Sequence, residues 1–367
     1  MERIPSRNQN EIIMKIGILT FHWATNYGAV LQCYALQEYL SRLGHDVKVI
    51  NYKPLQFDDS LCNFFRQHKF LDISAYFIER NREKALKVFR RNFLHLTPRI
   101  TSCSQLSTLT DDFDLIISGS DQVTNPYFLM NGESNGTVSP TYFLGFQFNG
   151  KRVGYALSFG CVSYPDNARI IATKYIQNFS SVSVRENSGI DIIKSMGRSD
   201  AIVVPDPTLL MQSEFYHRLA DSSNSKIMNS YFYSFFIRHI KERKSILQKV
   251  FHDYKMLWNN DDHDYTLSGW IFKIKNANFV ITDSFHCVVM CLKLHKPFIV
   301  ITEQSGNIGM NDRLYTLLSI LKLEDRIIPK NKLEEYEYSK SIPINWTSVD
   351  DGLNSYSQIG KKFLEAI

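Results

Sequence analysis

The chain has 367 residues, of which 44% are hydrophobic and 22% charged, so it holds enough apolar material for two packed domains. This composition excludes a disordered or collagen-like chain. A net charge of +5 fits an anionic substrate or an acidic membrane surface, but it falls short of what a nucleic-acid-binding protein carries.

The N-terminal residues 1–10 are polar and lack the apolar segment of a signal peptide, so we expect a disordered tail on a cytoplasmic protein. No stretch of the sequence is long enough to span a bilayer. The six cysteines are scattered and none forms a CxxC pair, which favours free thiols over disulfides or a metal site. We therefore expect neither a metal ion nor a cofactor.

The first predicted elements are a strand, a helix and a second strand. Residues 12–21 form the continuous apolar run that is typical of a central parallel strand, and residues 30–44 have the apolar spacing of a helix. The second strand is predicted at 46–52. Because this unit is typical of doubly wound sheets, we predict an α/β fold with a parallel sheet.

A basic helix is predicted at 79–93, where Ala85, Phe89 and Phe93 recur at helical spacing. We favour an amphipathic helix whose basic face is solvated. The alternative is a docking face for anionic lipid or for a diphosphate-linked substrate.

Two further buried strands are predicted in the first half of the chain, at 113–121 and 180–186. Between them, an Asn-Gly pair lies within the apolar segment 142–160, and this pattern predicts a β-hairpin. A proline-rich turn at 205–207 and the polar segment 220–226 mark the end of this half.

The second half repeats the alternation of strands and helices and ends in a predicted terminal helix. We therefore predict an α/β protein in which two Rossmann-like domains face a cleft. The predicted parts are the tail at 1–10, an N-terminal Rossmann-like domain at 11–210, a C-terminal one at 211–345 and the terminal helix at 346–367.

Polar residues that directly follow the predicted strands are the candidate site. In open parallel sheets, ligands bind beyond the carboxyl ends of the strands, so these residues can converge. They are His22, Asn26, Tyr27, Gly28, Ser118, Gly119, Ser120, Asp121, Gln122, Ser158, Phe159, Gly160, Arg185, Glu186, Asp206, Asp283, Ser284 and His286.

The segment 279–301 carries the most specific pattern, because a histidine follows directly on a predicted helix start. Asp283 or Ser284 is placed to cap that helix, whose first backbone N–H groups and dipole favour a phosphate or carboxylate. His286 lies in the first turn, within reach of such an anion, where it can act as a general acid or base. A core or capping histidine is the alternative, and the pattern alone does not separate the two.

Arg185 ends an otherwise apolar strand. It can form a salt bridge with Glu186 or an interdomain contact. It can also hold a carboxylate through a bidentate contact. The sequence has no GxGxxG motif, so a standard dinucleotide site lacks support.

Several motifs together resemble the polysaccharide pyruvyl transferase family and cover most of residues 14–325. They are the segment around NYGAVLQ, then GSDQ, YALSFG, VSVRE, VPDPTLL and TDSFH, in the family's order. Three positions depart from the family pattern, because Val123-Thr124-Asn125 stands where a Trp is frequent, Cys287 where Gly is usual and Cys33 where Ala is usual. We expect these departures to bear on the identity of the acceptor more than on the chemistry of the donor.

The resemblance implies a GT-B-like fold and the transfer of a pyruvyl group from phosphoenolpyruvate to two hydroxyls of a sugar, which forms a cyclic ketal. By motif, His286 is the catalytic acid/base and Arg185 binds phosphoenolpyruvate. We expect the helix start at Ser284 and Phe285 to hold phosphate, and His22 or Asp121 to serve as base for the sugar hydroxyl.

We thus expect a phosphoenolpyruvate-dependent transferase that acts on a cell-surface polysaccharide precursor, with a lipid-diphosphate-linked oligosaccharide as the expected kind of acceptor. We expect no nucleic-acid partner and a cytoplasmic location, with peripheral contact at the inner face of the membrane left open. The alternatives are a GT-B glycosyltransferase that uses a nucleotide sugar and a non-catalytic glycan- or phosphate-binding module.

Overall fold

The computed structural model describes residues 13–58, 73–109, 112–130, 138–226, 230–238, 240–258, 264–303 and 308–367. The predicted tail at 1–10 and Cys62 lie outside the described residues. The other five cysteines are free thiols, as predicted.

The first sheet has six parallel strands in the order β2-β1-β3-β4-β5-β6. Its central strands are short apolar runs, which suits strands that helices cover on both faces. The strands are β1 (Lys15–Leu19), β2 (Asp46–Val49), β3 (Leu115–Gly119), β4 (Lys151–Leu157), β5 (Ser181–Val184) and β6 (Ile202–Val203).

The helices that accompany this sheet differ widely in length. They are α1 (Tyr27–Arg42), α2 (Ile73–Phe93), α3 (Cys103–Leu106), α4 (Pro126–Met130), α5 (Asp166–Ile176), α6 (Asn187–Ser195), α7 (Pro207–Leu210) and α8 (Ser213–Asp221).

The second sheet has five parallel strands in the order β11-β10-β9-β7-β8. The strands are β7 (Phe232–Phe235), β8 (Met256–Trp258), β9 (Phe279–Thr282), β10 (Phe298–Thr302) and β11 (Ile327–Pro329). The remaining helices are α9 (Ile240–Val250), α10 (Leu267–Asn276), α11 (Phe285–Lys293), α12 (Asp312–Ile320) and α13 (Trp346–Glu365).

Two parallel sheets with their helices confirm the predicted architecture of two Rossmann-like, GT-B-like domains. The chain passes from the first sheet to the second between β6 and β7, and the predicted boundary at residue 210 stays a prediction. Within the described ranges, no helix is both long enough and apolar enough to cross a membrane.

The predicted β-hairpin at 142–160 is wrong. Strand β4 is its only strand, and β4 pairs in parallel with β3 and β5. The apolar residues ahead of it lie in a buried connection, where Phe146 and Phe148 pack in the core of the first domain. A Cβ on Gly150 would lie 2.4 Å from the Phe148 ring, so this glycine marks a close approach within the connection.

One hydrophobic core, which we call the shared core, contains residues of both domains. Tyr27 at the start of α1 stacks on Trp270 of α10 at 5.2 Å, and its hydroxyl donates to the Tyr265 carbonyl. Helix α13 begins next to the second domain, where His295 stacks on Trp346, and ends next to the first, where Phe363 contacts Tyr155. The two domains are therefore held together by continuous packing.

Candidate active site

The start of α1 and the start of α11 meet between the two domains. Asn26 caps α1, and its side-chain oxygen accepts hydrogen bonds from the amides of Gly28 at 2.8 Å and Ala29 at 3.3 Å. A Cβ on Gly28 would lie 2.0 Å from Nδ1 of His286. Only a glycine lets the helix start come this close to the imidazole.

Ser284 caps α11, since its Oγ accepts from the amide of Cys287 at 3.4 Å. Asp283, the other candidate for the cap, has a different role: its carboxylate accepts from the amide of Ile237 at 2.7 Å and pairs with the buried Arg243. The first amides of α11 remain at the helix end, where the dipole favours an anion, as the sequence suggested.

His286 lies almost buried between the domains, with its side chain 7% exposed. Its Nε2 is 3.5 Å from Oδ2 of Asp206, the outer limit of a hydrogen bond, and has no shorter partner among the described residues. The carboxylate can therefore orient the imidazole while leaving Nε2 able to reach a ligand. Phe285 packs edge-on against the ring.

Arg185 follows β5, as predicted, and pairs with carboxylates of its own domain. Its Nη1 lies 2.8 Å from Asp206, and its Nη2 lies 3.4 Å from Asp121. Its guanidinium also lies over the Phe285 ring of the other domain, 4.9 Å from the ring centroid. Arg185 and His286 therefore share Asp206 as a partner.

Burial and neighbouring charges shift the pKa values of Asp206 and Arg185 in opposite directions. Burial by itself would raise the pKa of Asp206, but His286 and Arg185 bring that pKa well below its ordinary value. Burial would lower the pKa of Arg185, but Asp206 and Asp121 hold it above its usual value. Both side chains stay charged across the physiological range.

Arg313 is a site residue that the sequence analysis missed. It lies in the first turn of α12, 3.9 Å from Asp121, with its guanidinium 5.7 Å from the centroid of the Phe285 ring. Burial and the neighbouring Arg185 lower its pKa to about 10. The available signal was an arginine in the first turn of a helix on the carboxyl side of β10.

The loop after β4 surrounds Glu186 beside Arg185. The amides of Phe159 and Gly160 donate to Oε1 of Glu186 at 2.8 and 3.4 Å. Burial raises the pKa of Glu186. Gly160 has a φ of +61°, a conformation that favours glycine. Ser158 is buried in the same loop, so these predicted residues lie next to Arg185 and support its position.

His22 lies apart from this cluster. Its ring nitrogens contact the Thr20 carbonyl and the Asn51 side chain, each at 3.2 Å, and burial lowers its pKa to about 4. No contact recorded for the described residues joins it to His286 or Arg185. Asp121 is therefore the better placed of the two predicted bases. Its φ of +68° marks a strained backbone that the surrounding structure holds.

No three His, Cys, Asp or Glu side chains within the described ranges gather as a metal site would require.

A family model described as polysaccharide pyruvyl transferase matches residues 26–305. The matched range includes Asn26, Arg185 and His286 and ends shortly before Arg313. A comparison with curated proteins gives no match.

Among solved structures, three similar ones illustrate the range. The first is a functionally uncharacterized protein from Klebsiella pneumoniae, with 14% identity over 83% of this chain and 96% of that one and a TM-score of 0.40. The second is UDP-N-acetylglucosamine 2-epimerase from Rickettsia bellii, with 10% identity over 96% of each chain and a TM-score of 0.43. The third is a glycosyltransferase from Streptomyces nogalater, with 10% identity over 97% of this chain and 100% of that one and a TM-score of 0.42.

Proposed function

Since the chain belongs to the polysaccharide pyruvyl transferase family, we propose that it moves the enolpyruvyl group of phosphoenolpyruvate onto two hydroxyls of a sugar. The products are a cyclic pyruvate ketal and free phosphate. The sugar belongs to a cell-surface polysaccharide precursor, and we propose a lipid-diphosphate-linked oligosaccharide as its carrier. The reaction takes place in the cytoplasm, where phosphoenolpyruvate is produced.

The observation that supports this proposal is the meeting of Arg185, Asp206 and His286 between the two domains, beside the start of α11. Phosphoenolpyruvate carries a phosphate and a carboxylate on the same carbon. The start of α11 and the two arginines that lie over its Phe285 ring, Arg185 and Arg313, offer two neighbouring anion-binding groups. A histidine between them is suited to proton transfer.

The phosphate binds at the start of α11, beside Ser284 and at the Phe285 amide, because the Ser284 amide already donates to Oγ1 of Thr282 at 3.0 Å. The carboxylate binds Arg185 and Arg313 on the side where Asp121 makes only long contacts, of 3.4 and 3.9 Å. Both guanidinium groups already lie over the Phe285 ring, so their positions are set before the donor arrives.

In the first step, Nε2 of His286 gives a proton to the methylene carbon, and the double-bond electrons form the new C–H bond. The adjacent carbon gains oxocarbenium character, and a sugar hydroxyl oxygen attacks it while Asp121 takes the hydroxyl proton. Asp206 stabilises the protonated imidazole before this transfer.

In the second step, phosphate leaves with the electrons of its C–O bond, and the second hydroxyl attacks the same carbon to close the ketal. Of the two hydroxyl protons, one replaces the proton that His286 gave to the new methyl group, and the other leaves with phosphate. No oxidation or reduction occurs.

Thermal unfolding with each donor tests the proposal before any acceptor is known. Phosphoenolpyruvate at 100 times its dissociation constant should stabilise the protein by about 2.7 kcal/mol. Arg185→Lys keeps the charge beside Asp206 but loses the planar contact, so it should weaken this stabilisation. Stabilisation by nucleotide sugars alone would instead favour the glycosyltransferase alternative.

Turnover gives a second test, because phosphate release and a new ketal methyl signal can be followed with a panel of sugars. His286→Gln should lower kcat by about 10²- to 10⁴-fold, as expected for loss of a general acid. Its melting temperature should stay close to that of the wild type. Near wild-type turnover in this variant would remove His286 from the mechanism.

A further inference from the structure

The outward face of α2 has an unusual composition. The exposed residues between positions 77 and 92 fall within an arc of about 140° when each residue advances about 100° around the axis. This arc spans about 22 Å along the helix. It consists of Phe77, Arg80, Asn81, Lys84, Lys87, Val88, Arg91 and Asn92, and we call it the outer face of α2.

The outer face carries four cations and no carboxylate. The acidic residues of this helix lie elsewhere: Glu79 is half-buried, and Glu83 is buried and paired with Arg90. The positive charges are therefore not balanced on their own surface. An anionic surface would be attracted to this face more strongly than the net charge of +5 suggests.

Two large apolar side chains lie in the same arc. Phe77 is 56% exposed and Val88 is 60% exposed. They are eleven positions apart, about three helical turns, so they share one line along the helix with the cations beside it. A basic face that contacts only water requires no exposed line of apolar side chains. Helices that lie in a membrane interface combine such a line with cations beside it.

The opposite face of α2 holds the loop that leads to Gly28. Glu83 accepts a hydrogen bond from Thr25 at 3.0 Å, Arg90 donates to the Ala24 carbonyl at 3.4 Å, and Arg82 lies over the Tyr27 ring. The helix therefore connects its outer face to the segment that touches His286.

We propose that the outer face of α2 docks on the surface of an anionic lipid bilayer. The apolar line enters the headgroup region and the cations contact lipid phosphates. Docking brings the loop that leads to Gly28, and with it the candidate active site, close to the membrane, where a lipid-linked acceptor would be presented. Docking goes beyond the proposed function and does not depend on it, because it requires no substrate.

The test is co-sedimentation of the protein with vesicles, without substrate. We expect binding to vesicles of equal parts phosphatidylglycerol and phosphatidylcholine, weak binding to pure phosphatidylcholine, and loss of binding in high salt. Lys84→Glu/Lys87→Glu should lower the partition coefficient by at least about 25-fold, since each cation near the surface contributes about fivefold. The control Lys174→Glu/Lys194→Glu changes the charge equally on exposed positions of α5 and α6 and should bind like the wild type.

The apolar line is tested separately, because charge alone would also bind soluble polyanions. Phe77→Asn/Val88→Asn should reduce vesicle binding severalfold and leave heparin binding unchanged. Val162→Asn/Ile170→Asn, which alters two other exposed apolar positions of the same domain, should have no effect. Melting temperatures and stabilisation by phosphoenolpyruvate should match the wild type in all four variants.

Three outcomes would overturn the proposal: equal loss of binding in the target and control pairs, binding to heparin but not to anionic vesicles, or no effect of the apolar substitutions. If stabilisation by phosphoenolpyruvate is absent while vesicle binding follows the expected order, the proposed function fails and the docking surface stands.

Discussion

Gly28 determines how closely the first domain approaches His286, and this contact predicts the effect of a single methyl group. In Gly28→Ala, the new Cβ would overlap the imidazole, and the histidine must move. A displacement of about 1 Å at a catalytic group can cost about 100-fold in rate, so we expect kcat to fall by about that factor. Steady-state kinetics of phosphate release measures it.

The control for this substitution is Gly352→Ala in α13, where the nearest contact is the flexible end of Leu321 at 2.9 Å. Alanine should there stabilise the helix by about 0.5–1 kcal/mol without changing activity. If Gly28→Ala also leaves kcat unchanged, then His286 tolerates movement and its proposed role is wrong.

His22 predicts a specific loss of stability in acid. The unfolded chain binds a proton at this position below about pH 6.5, whereas the folded protein does so only below about pH 4. Acidification between these values therefore favours the unfolded state, by about 3 kcal/mol at pH 4. We expect His22→Gln to lack this component of the pH dependence, as measured by urea unfolding at pH 7 and pH 4.

The wild type and His22→Gln share all other titrating groups. The difference between their free energies of unfolding as a function of pH therefore isolates the contribution of His22. Parallel profiles would mean that the ring is protonated in the folded state, and His22 would again be a candidate for acid–base chemistry.

Individual residues also show what the sequence could and could not predict. Arg185 and His286 could be predicted from the sequence because each follows an apolar strand, and the strand ends of a parallel sheet share an edge. The sharing of Asp206 by these two residues could not be foreseen. It depends on how two separate sheets are oriented, and no local pattern encodes that orientation.

At the level of elements, the cap of α1 links helix stability to the site. Asn26→Ala removes the acceptor for two amides of the first turn and should cost about 1 kcal/mol. Asn26→Ser keeps a capping oxygen and should recover most of this loss, which denaturant unfolding can measure. Equal destabilisation by serine and alanine would show that the amide makes contacts beyond the cap.

Long elements with a clear hydrophobic period were predicted well. The wrong prediction, the β-hairpin at 142–160, arose because a short apolar pattern fits either a strand or a buried connection. The apolar stretch before Gly150 fits one strand of a hairpin, but the fold buries it as a connection between β3 and β4. An Asn-Gly pair indicates a turn, not the direction of the segments on either side. Pairing with β3 was favoured because it completes a parallel sheet.

At the level of the whole molecule, the shared core predicts cooperative unfolding. Separate cores also exist in each domain, but the shared core includes buried residues of α1, α10, α11 and α13. Disrupting either domain therefore exposes apolar surface in the other. We expect a single calorimetric transition whose van 't Hoff and calorimetric enthalpies agree. Two resolved transitions would show that the domains unfold independently.

The contact between Gly28 and His286 also constrains how this sequence can change over generations. The two codons are far apart in the gene, yet a side chain at the first position is incompatible with the imidazole at the second. Drift at position 28 is therefore blocked for as long as selection retains the histidine. Lineages that have lost the histidine should be the ones in which other amino acids accumulate at position 28.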